Sequence, residues 1–342
     1  MAASVITPVT VLTGFLGSGK TTLLNRILAD PRYADTAVIV NEFGEVGIDH
    51  LLVREASENV VVLAGGCICC RVAGDLVRTL RELHHQRSAG SIPAFRRAVI
   101  ETTGLADPAP LLASMIELPM IAARYSLSGV AATVDAEHGM RTLDEHEEAV
   151  KQVALADRLV ITKDDLAPAA RVAELEERLR ALNPGARVLR SGLAPIDPAQ
   201  VLDAGLYRPQ TRTVDARGWL EAGAYRPAGM ARPSRHDPRI VAFSWRAEEP
   251  LAWPDLEEAL CTLLDLFGDR ILRLKGLANV GEPGPLALHA VQHALYPPAR
   301  LAAWPDEDHG TRLVFVARDL EAGRITPILD SLSRTPSEFL QR

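Results

Sequence analysis

Val9-Thr-Val-Leu-Thr-Gly14-Phe-Leu-Gly-Ser-Gly-Lys20-Thr21-Thr22-Leu-Leu24 decides the fold. An apolar, β-branched run ends at a glycine. The chain then matches the G-x-x-x-x-G-K-[ST] pattern and enters a segment over residues 21–29 whose Leu23, Leu24, Ile27 and Leu28 recur at helical spacing. Strand, glycine loop and helix in this order make a phosphate cradle. Successive backbone N–H groups must curl round an anion in conformations costly to residues with a Cβ, and the helix N-terminus adds a favourable dipole. Gly14, Gly17, Ser18 and Gly19 supply the loop. Lys20 is expected to neutralise the β and γ phosphates, Thr21 to place its hydroxyl on Mg²⁺, and Thr22 to meet the α phosphate.

Outward from the loop, short strand-like runs alternate with helical patterns. The runs are 9–12, 37–40, 60–63, 98–100, 130–134, 158–161 and 186–189, and the helical segments include 75–86 with Leu76, Leu80 and Leu83. Such alternation implies an α/β fold: a P-loop NTPase parallel sheet covered by helices. This domain is expected to occupy residues 1–204. Residues 205–236 carry Tyr207-Arg-Pro, Tyr225-Arg-Pro and several glycines with little periodicity, which reads as a linker. Over 237–342, strands at 240–246, 271–280, 286–293 and 312–316 and helices near 253–267 and 321–334 predict a smaller α+β domain with a largely antiparallel sheet.

The 342 residues are 47% hydrophobic, enough for two cores, and 37 Lys and Arg stand against 44 Asp and Glu. That mildly acidic balance argues against nucleic acid as a partner, and no apolar stretch is long enough for a membrane span. The N-terminus lacks the pattern of a secretory signal, so a cytoplasmic location is expected. Three of the four cysteines, Cys67, Cys69 and Cys70, fall within four residues, which suits a thiolate site in a reducing compartment better than a disulfide framework. The lone Cys261 reads as a core residue.

Arg158-Leu-Val-Ile-Thr162-Lys163-Asp164-Asp165 is a strand ending close to the N-K-x-D element by which GTPases recognise guanine. The Asp165 carboxylate can accept from both N1–H and the exocyclic amine of guanine, whereas adenine presents an acceptor at N1. Lys163 would lay its aliphatic stem along the base. Thr162 replaces the usual Asn and loses an amide that normally ties the loops together. Arg97-Ala-Val-Ile-Glu101-Thr-Thr-Gly104 ends a strand in an acid suited to Mg²⁺ or its water shell. Glu42, in Asn41-Glu42-Phe43-Gly44-Glu45 after the second strand, could sense the γ phosphate. Lys20, Glu101 and Glu42 are the candidate catalytic residues, all at the sheet edge where doubly wound folds bind ligands.

Gly65-Gly66-Cys67-Ile68-Cys69-Cys70 follows the third strand onto that same edge. Three thiolates in a tight turn suit zinc or copper(I) and exclude Mg²⁺. A fourth ligand would come from water, Glu42, a histidine or a partner protein. His84 and His85 read as surface, and His289 and His293 as structural residues on a strand.

Together these residues resemble the CobW-type metallochaperone GTPases, a branch of P-loop proteins that includes zinc chaperones, cobalamin-synthesis factors and nitrile hydratase activators. The match covers residues 13–22, Val40-Asn-Glu-Phe-Gly-Glu-Val-Gly-Ile-Asp49, 65–70, Glu101-Thr-Thr-Gly-Leu-Ala-Asp-Pro108, Gln152-Val-Ala-Leu-Ala-Asp157, 162–165 and, more weakly, Arg273-Leu-Lys-Gly276. The resemblance implies a GTPase using GTP with Mg²⁺, and Cys67, Cys69 and Cys70 as ligands for Zn²⁺, or Co²⁺, destined for a client metalloprotein. By resemblance, Cys70, Arg71, Val72, Ala73 and Gly74 also approach the nucleotide. The chain departs from many relatives in lacking a His-rich tract near the domain junction; only His236 lies there. Client and oligomeric state, monomer or homodimer, stay open. Two other readings compete: a small-molecule kinase, and a zinc-binding regulator with a structural nucleotide.

Overall fold

The computed structural model describes residues 6–41, 61–65, 72–192, 196–202, 226–227, 239–281 and 283–333. The chain divides into two compact units, residues 1–179 with 186–206, and residues 180–185 with 207–342.

Among the described residues, the first unit is built on seven parallel strands: β1 (Thr7–Gly14), β2 (Thr36–Asn41), β3 (Val61–Gly65), β4 (Arg97–Glu101), β5 (Tyr125–Asp135), β6 (Arg158–Thr162) and β7 (Arg187–Ser191). They lie in the order β3-β2-β4-β1-β5-β6-β7. Each of the seven runs read from the sequence forms a strand. In β4 and β6 nearly every residue is buried, as expected where helices cover both faces. The helices are α1 (Lys20–Leu28), α2 (Val72–Ser88), α3 (Ala109–Glu117), α4 (Pro119–Ala122), α5 (Gly139–Glu145), α6 (Glu147–Leu155), α7 (Ala169–Leu182) and α8 (Pro198–Leu202). Leu23, Leu24, Ile27 and Leu28 of α1 pack with Leu12, Val38, Val99, Ala131 and Val160 of the sheet, so the helix that opens on Lys20 is fixed to the strands flanking it. Parallel strands end together. Gly14, Glu101, Asp135, Thr162 and Gly65 therefore all close their strands at one edge.

The second unit holds β8 (Arg226–Pro227), β9 (Ile240–Ala247), β10 (Ile271–Ala278), β11 (Leu286–Val291), β12 (Ala294–Leu295), β13 (Ala299–Arg300) and β14 (Thr311–Arg318), with α9 (Trp253–Phe267) and α10 (Ala322–Asp330). The order is β12-β11-β10-β14-β9-β8, with β13 on β11; all pairs are antiparallel except β8 with β9. Leu256, Leu260, Leu263 and Leu264 make the buried stripe of α9. Cys261 corrects the sequence reading: it is exposed. It follows Leu260 by one residue, about 100° round the helix, and so turns off the stripe. His289 is buried on β11 and stacked on Tyr296, ring centroids 4.3 Å apart, which agrees with its reading as a structural strand residue; His293 instead falls beyond the end of β11, in the turn before β12, where its half-exposed ring meets Asp269 at 3.2 Å. Among the described residues, no helix is long and apolar enough to cross a membrane.

Candidate nucleotide site

β1 ends at Gly14, whose φ of 141° only glycine adopts readily; a Cβ there would strike Thr133 of β5. Gly19, at φ 88°, caps α1 with no side chain, and no acidic residue stands in the first turn. The positive end of the helix dipole thus faces the loop without an internal carboxylate to satisfy it. Lys20, nearly buried, donates through Nζ to the carbonyls of Gly14 and Phe15, at 3.0 and 3.2 Å, which holds its ammonium across the loop. Ser18 Oγ lies 2.7 Å from Thr133 Oγ1. Thr22 is exposed on the first turn of α1.

Thr21 Oγ1 donates to Glu101 Oε1 at 2.7 Å, and Glu101 is 3% exposed. The two residues chosen from the sequence as Mg²⁺ holders, 80 positions apart, are brought into contact. A hydroxyl and a carboxylate form a hard-oxygen pair of the kind Mg²⁺ takes, so the donors present fit that ion.

The Thr162-Lys163-Asp164-Asp165 stretch, the candidate guanine element, is joined to the same loop. Thr162 Oγ1 donates to Ser18 O at 2.7 Å. This corrects the expectation that replacing Asn costs the tie between loops: the shorter hydroxyl makes that tie because β6 ends close against residues 18 and 19. Lys163, at φ 54°, donates through Nζ to Gly17 O at 2.8 Å and to Asp135 Oδ2 at 2.6 Å. Asp135, missed in the sequence reading, is 8% exposed and ends β5 as Glu101 ends β4. Burial alone would raise its pKa. The Lys163 ammonium and the backbone N–H groups of Glu137 and His138 outweigh that and hold the carboxyl below the usual range. An acid closing an apolar strand, Thr-Val-Asp135, was the available signal. The Asp165 carboxylate stands exposed at the rim.

Glu42, Cys67, Cys69, Cys70 and Arg71 lie outside the described residues, as does His236. Val72, Ala73 and Gly74 open α2. Gly65, two residues before Cys67 in the chain, pairs with Asn41 at the carboxyl edge of the sheet. No group of three or more potential metal ligands occurs among the described residues. His84 is half-buried on α2, where burial, Arg124, Arg87 and His85 lower its pKa.

The CobW/HypB/UreG nucleotide-binding domain model matches residues 8–190, and the cobalamin synthesis protein cobW C-terminal domain model matches residues 240–333. The chain is 34% identical over 313 residues to the zinc chaperone YjiA of Escherichia coli, covering 91% of this chain and 94% of the relative. It is 30% identical over 359 residues to the zinc chaperone CobW of Pseudomonas aeruginosa, covering 93% and 89%. The crystal structure of Zn(II)-bound YjiA GTPase from E. coli superposes with a TM-score of 0.68 at 27% identity, covering 96% of this chain and 99% of that one. Fold, phosphate loop and both domain matches agree, and the chain belongs to the CobW/HypB/UreG nucleotide-binding family, in the form that carries a CobW C-terminal domain.

Proposed function

We propose that this protein hydrolyses GTP with Mg²⁺ and couples the nucleotide state to delivery of a zinc ion to a client metalloprotein. The observation that carries the reading is the joining of three elements at one sheet edge: the Gly14–Thr22 cradle, the Thr21–Glu101 oxygen pair, and the Thr162-Lys163 strand end bonded to Ser18 and Gly17. Lys20 would release the two carbonyls it now holds to bind the β and γ phosphates. The metal ion, held by Thr21 and Glu101, would supply charge neutralisation at the phosphates. Phosphoryl transfer is mostly positioning and charge stabilisation, so these groups suffice for slow turnover, with Glu42 a further candidate near the γ phosphate. Cys67, Cys69 and Cys70 are the proposed cargo ligands, since thiolates favour zinc over hard cations; cobalt is the competing ion. The names of the relatives support zinc as cargo.

Base choice tests the site directly. Asp165→Asn removes the charge that accepts two guanine hydrogen bonds, each worth roughly 1.5 kcal/mol or more, so GTP affinity should fall about 100-fold while the overall fold persists. Equilibrium titration of wild type and variant with fluorescent GTP and ATP analogues checks this. Equal GTP affinity in both proteins, or wild-type preference for ATP, overturns the assignment.

A further inference from the structure

The loop that leaves β4, residues 102–107, is fastened at both ends. Thr102 donates from its backbone to Leu12 O at 2.9 Å and from its hydroxyl to Thr13 Oγ1 at 2.8 Å. At the other end, Asp107 Oδ1 accepts from Ala109 N at 3.0 Å, which ties the loop to the first residue of α3. Between these anchors the backbone is pressed against the phosphate loop: a Cβ on Gly104 would come within 2.5 Å of Leu16 N. This stretch starts at the Glu101–Thr21 pair and borders the cradle, so its position sets what stands beside the terminal phosphate.

One helix holds its middle. Gln152 of α6, 1% exposed, donates both amide hydrogens through Nε2, to Gly104 O at 3.1 Å and Ala106 O at 3.0 Å. Its neighbour Lys151 pairs with Asp107 Oδ2 at 2.6 Å. At the N-terminus of the same helix, the His146 ring stacks on Phe15 of the phosphate loop, centroids 4.4 Å apart. α6 therefore grips the loop after β4 and rests on the phosphate loop. Gln152, Phe15 and Val153 also line a cavity of about 140 Å³, and Gln152 Oε1 is buried without a hydrogen-bond partner.

We propose that α6 positions the loop after β4 for hydrolysis, with Gln152 as the positioning residue and Lys151 as its support. Gln152 acts through the Gly104 and Ala106 carbonyls that its amide holds. Two carbonyls can be held by one amide only while they stay side by side, so the bond pair fixes the loop's shape as well as its place. This rests on the GTP hydrolysis reading above.

The test is Gln152→Met, which keeps length and volume and removes both donors, alongside Lys151→Met and Lys151→Arg. Steady-state GTP turnover, GDP affinity and hydrogen exchange of the 102–107 amides are measured in each. Displacing a positioning group by about an ångström costs up to 100-fold in rate. Gln152→Met should therefore lower kcat by about 10- to 100-fold, leave KM and GDP affinity within threefold, and raise exchange in 102–107. Lys151→Arg should recover most of what Lys151→Met loses. Unchanged kcat and exchange in Gln152→Met overturn the proposal. So does a loss of kcat matched by an equal loss of GDP affinity, which would mark a merely structural role. Absent turnover in the wild type would instead defeat the hydrolysis reading, while the exchange result would still judge the grip.

Discussion

Lys163 and Asp135 show how one ion pair ties two strand ends to the phosphate loop. The ammonium lies 2.6 Å from the carboxylate and 2.8 Å from Gly17 O, so it spans β5, β6 and the phosphate loop. Because the folded Asp135 pKa lies below its ordinary value, its contribution to stability is fully present above about pH 4 and is lost as pH falls through the folded pKa. Asp135→Asn should accordingly melt below wild type at pH 7, with the gap narrowing towards pH 3. Melting temperatures at pH 7, 5, 4 and 3 check this, and a gap that widens on acidification would contradict it. The meeting of Thr21 with Glu101 beside Lys20 was legible in the sequence because loop spacing and strand-end position place those residues at one edge. Asp135 and Gln152 were not, because each works through a backbone or side chain remote in the chain, Lys163 and Gly104. The role of Thr162 was misjudged from residue type alone, since its tie to Ser18 depends on how closely β6 approaches the loop.

At the scale of elements, β-branched runs and 3.6-residue stripes predicted the seven strands of the first unit and the helices α1, α2, α9 and α10 because both patterns leave direct marks in the sequence, whereas α3, α6 and α7 were not singled out. They gave ends less well. The strand expected over 286–293 stops at Val291, where Gln292 takes φ 50° in the turn to β12. Cys261 shows that residue type alone is a weak guide to burial, whereas its place one step off the Leu260 stripe decides it. The Arg273-Leu-Lys-Gly276 sequence also gains a physical reason. Gly276 sits in β10 between Leu288 and Leu313, and a Cβ would strike the Arg312 carbonyl and the Leu313 side chain. Gly276→Ala should destabilise the protein by about 1–3 kcal/mol through overpacking. Chemical denaturation measures it, and a shift within error would show that β14 yields at no cost.

Across the molecule, the sheet order constrains how a cysteine-bound metal can influence nucleotide. β3 stands three strands from β1, with β2 and β4 between, a lateral separation of roughly 14 Å at ordinary strand spacing. The strand ends crossed on that path are Asn41 and Glu101, so a metal held by the proposed cysteine ligands after Gly65 would act on phosphate across the ends of β2 and β4. The loop after β4 is the one gripped by Gln152. Coupling of this kind is reciprocal: a metal that changes GTP affinity must have its own affinity changed equally by GTP. The deciding measurement is GTP turnover with Mg²⁺ present and zinc buffered from absent to saturating, in wild type and in a variant with Cys67→Ala, Cys69→Ala and Cys70→Ala. Zinc should change turnover or GTP affinity in the wild type, and the variant should lose the response. Identical hydrolysis by both proteins at every zinc level would contradict it.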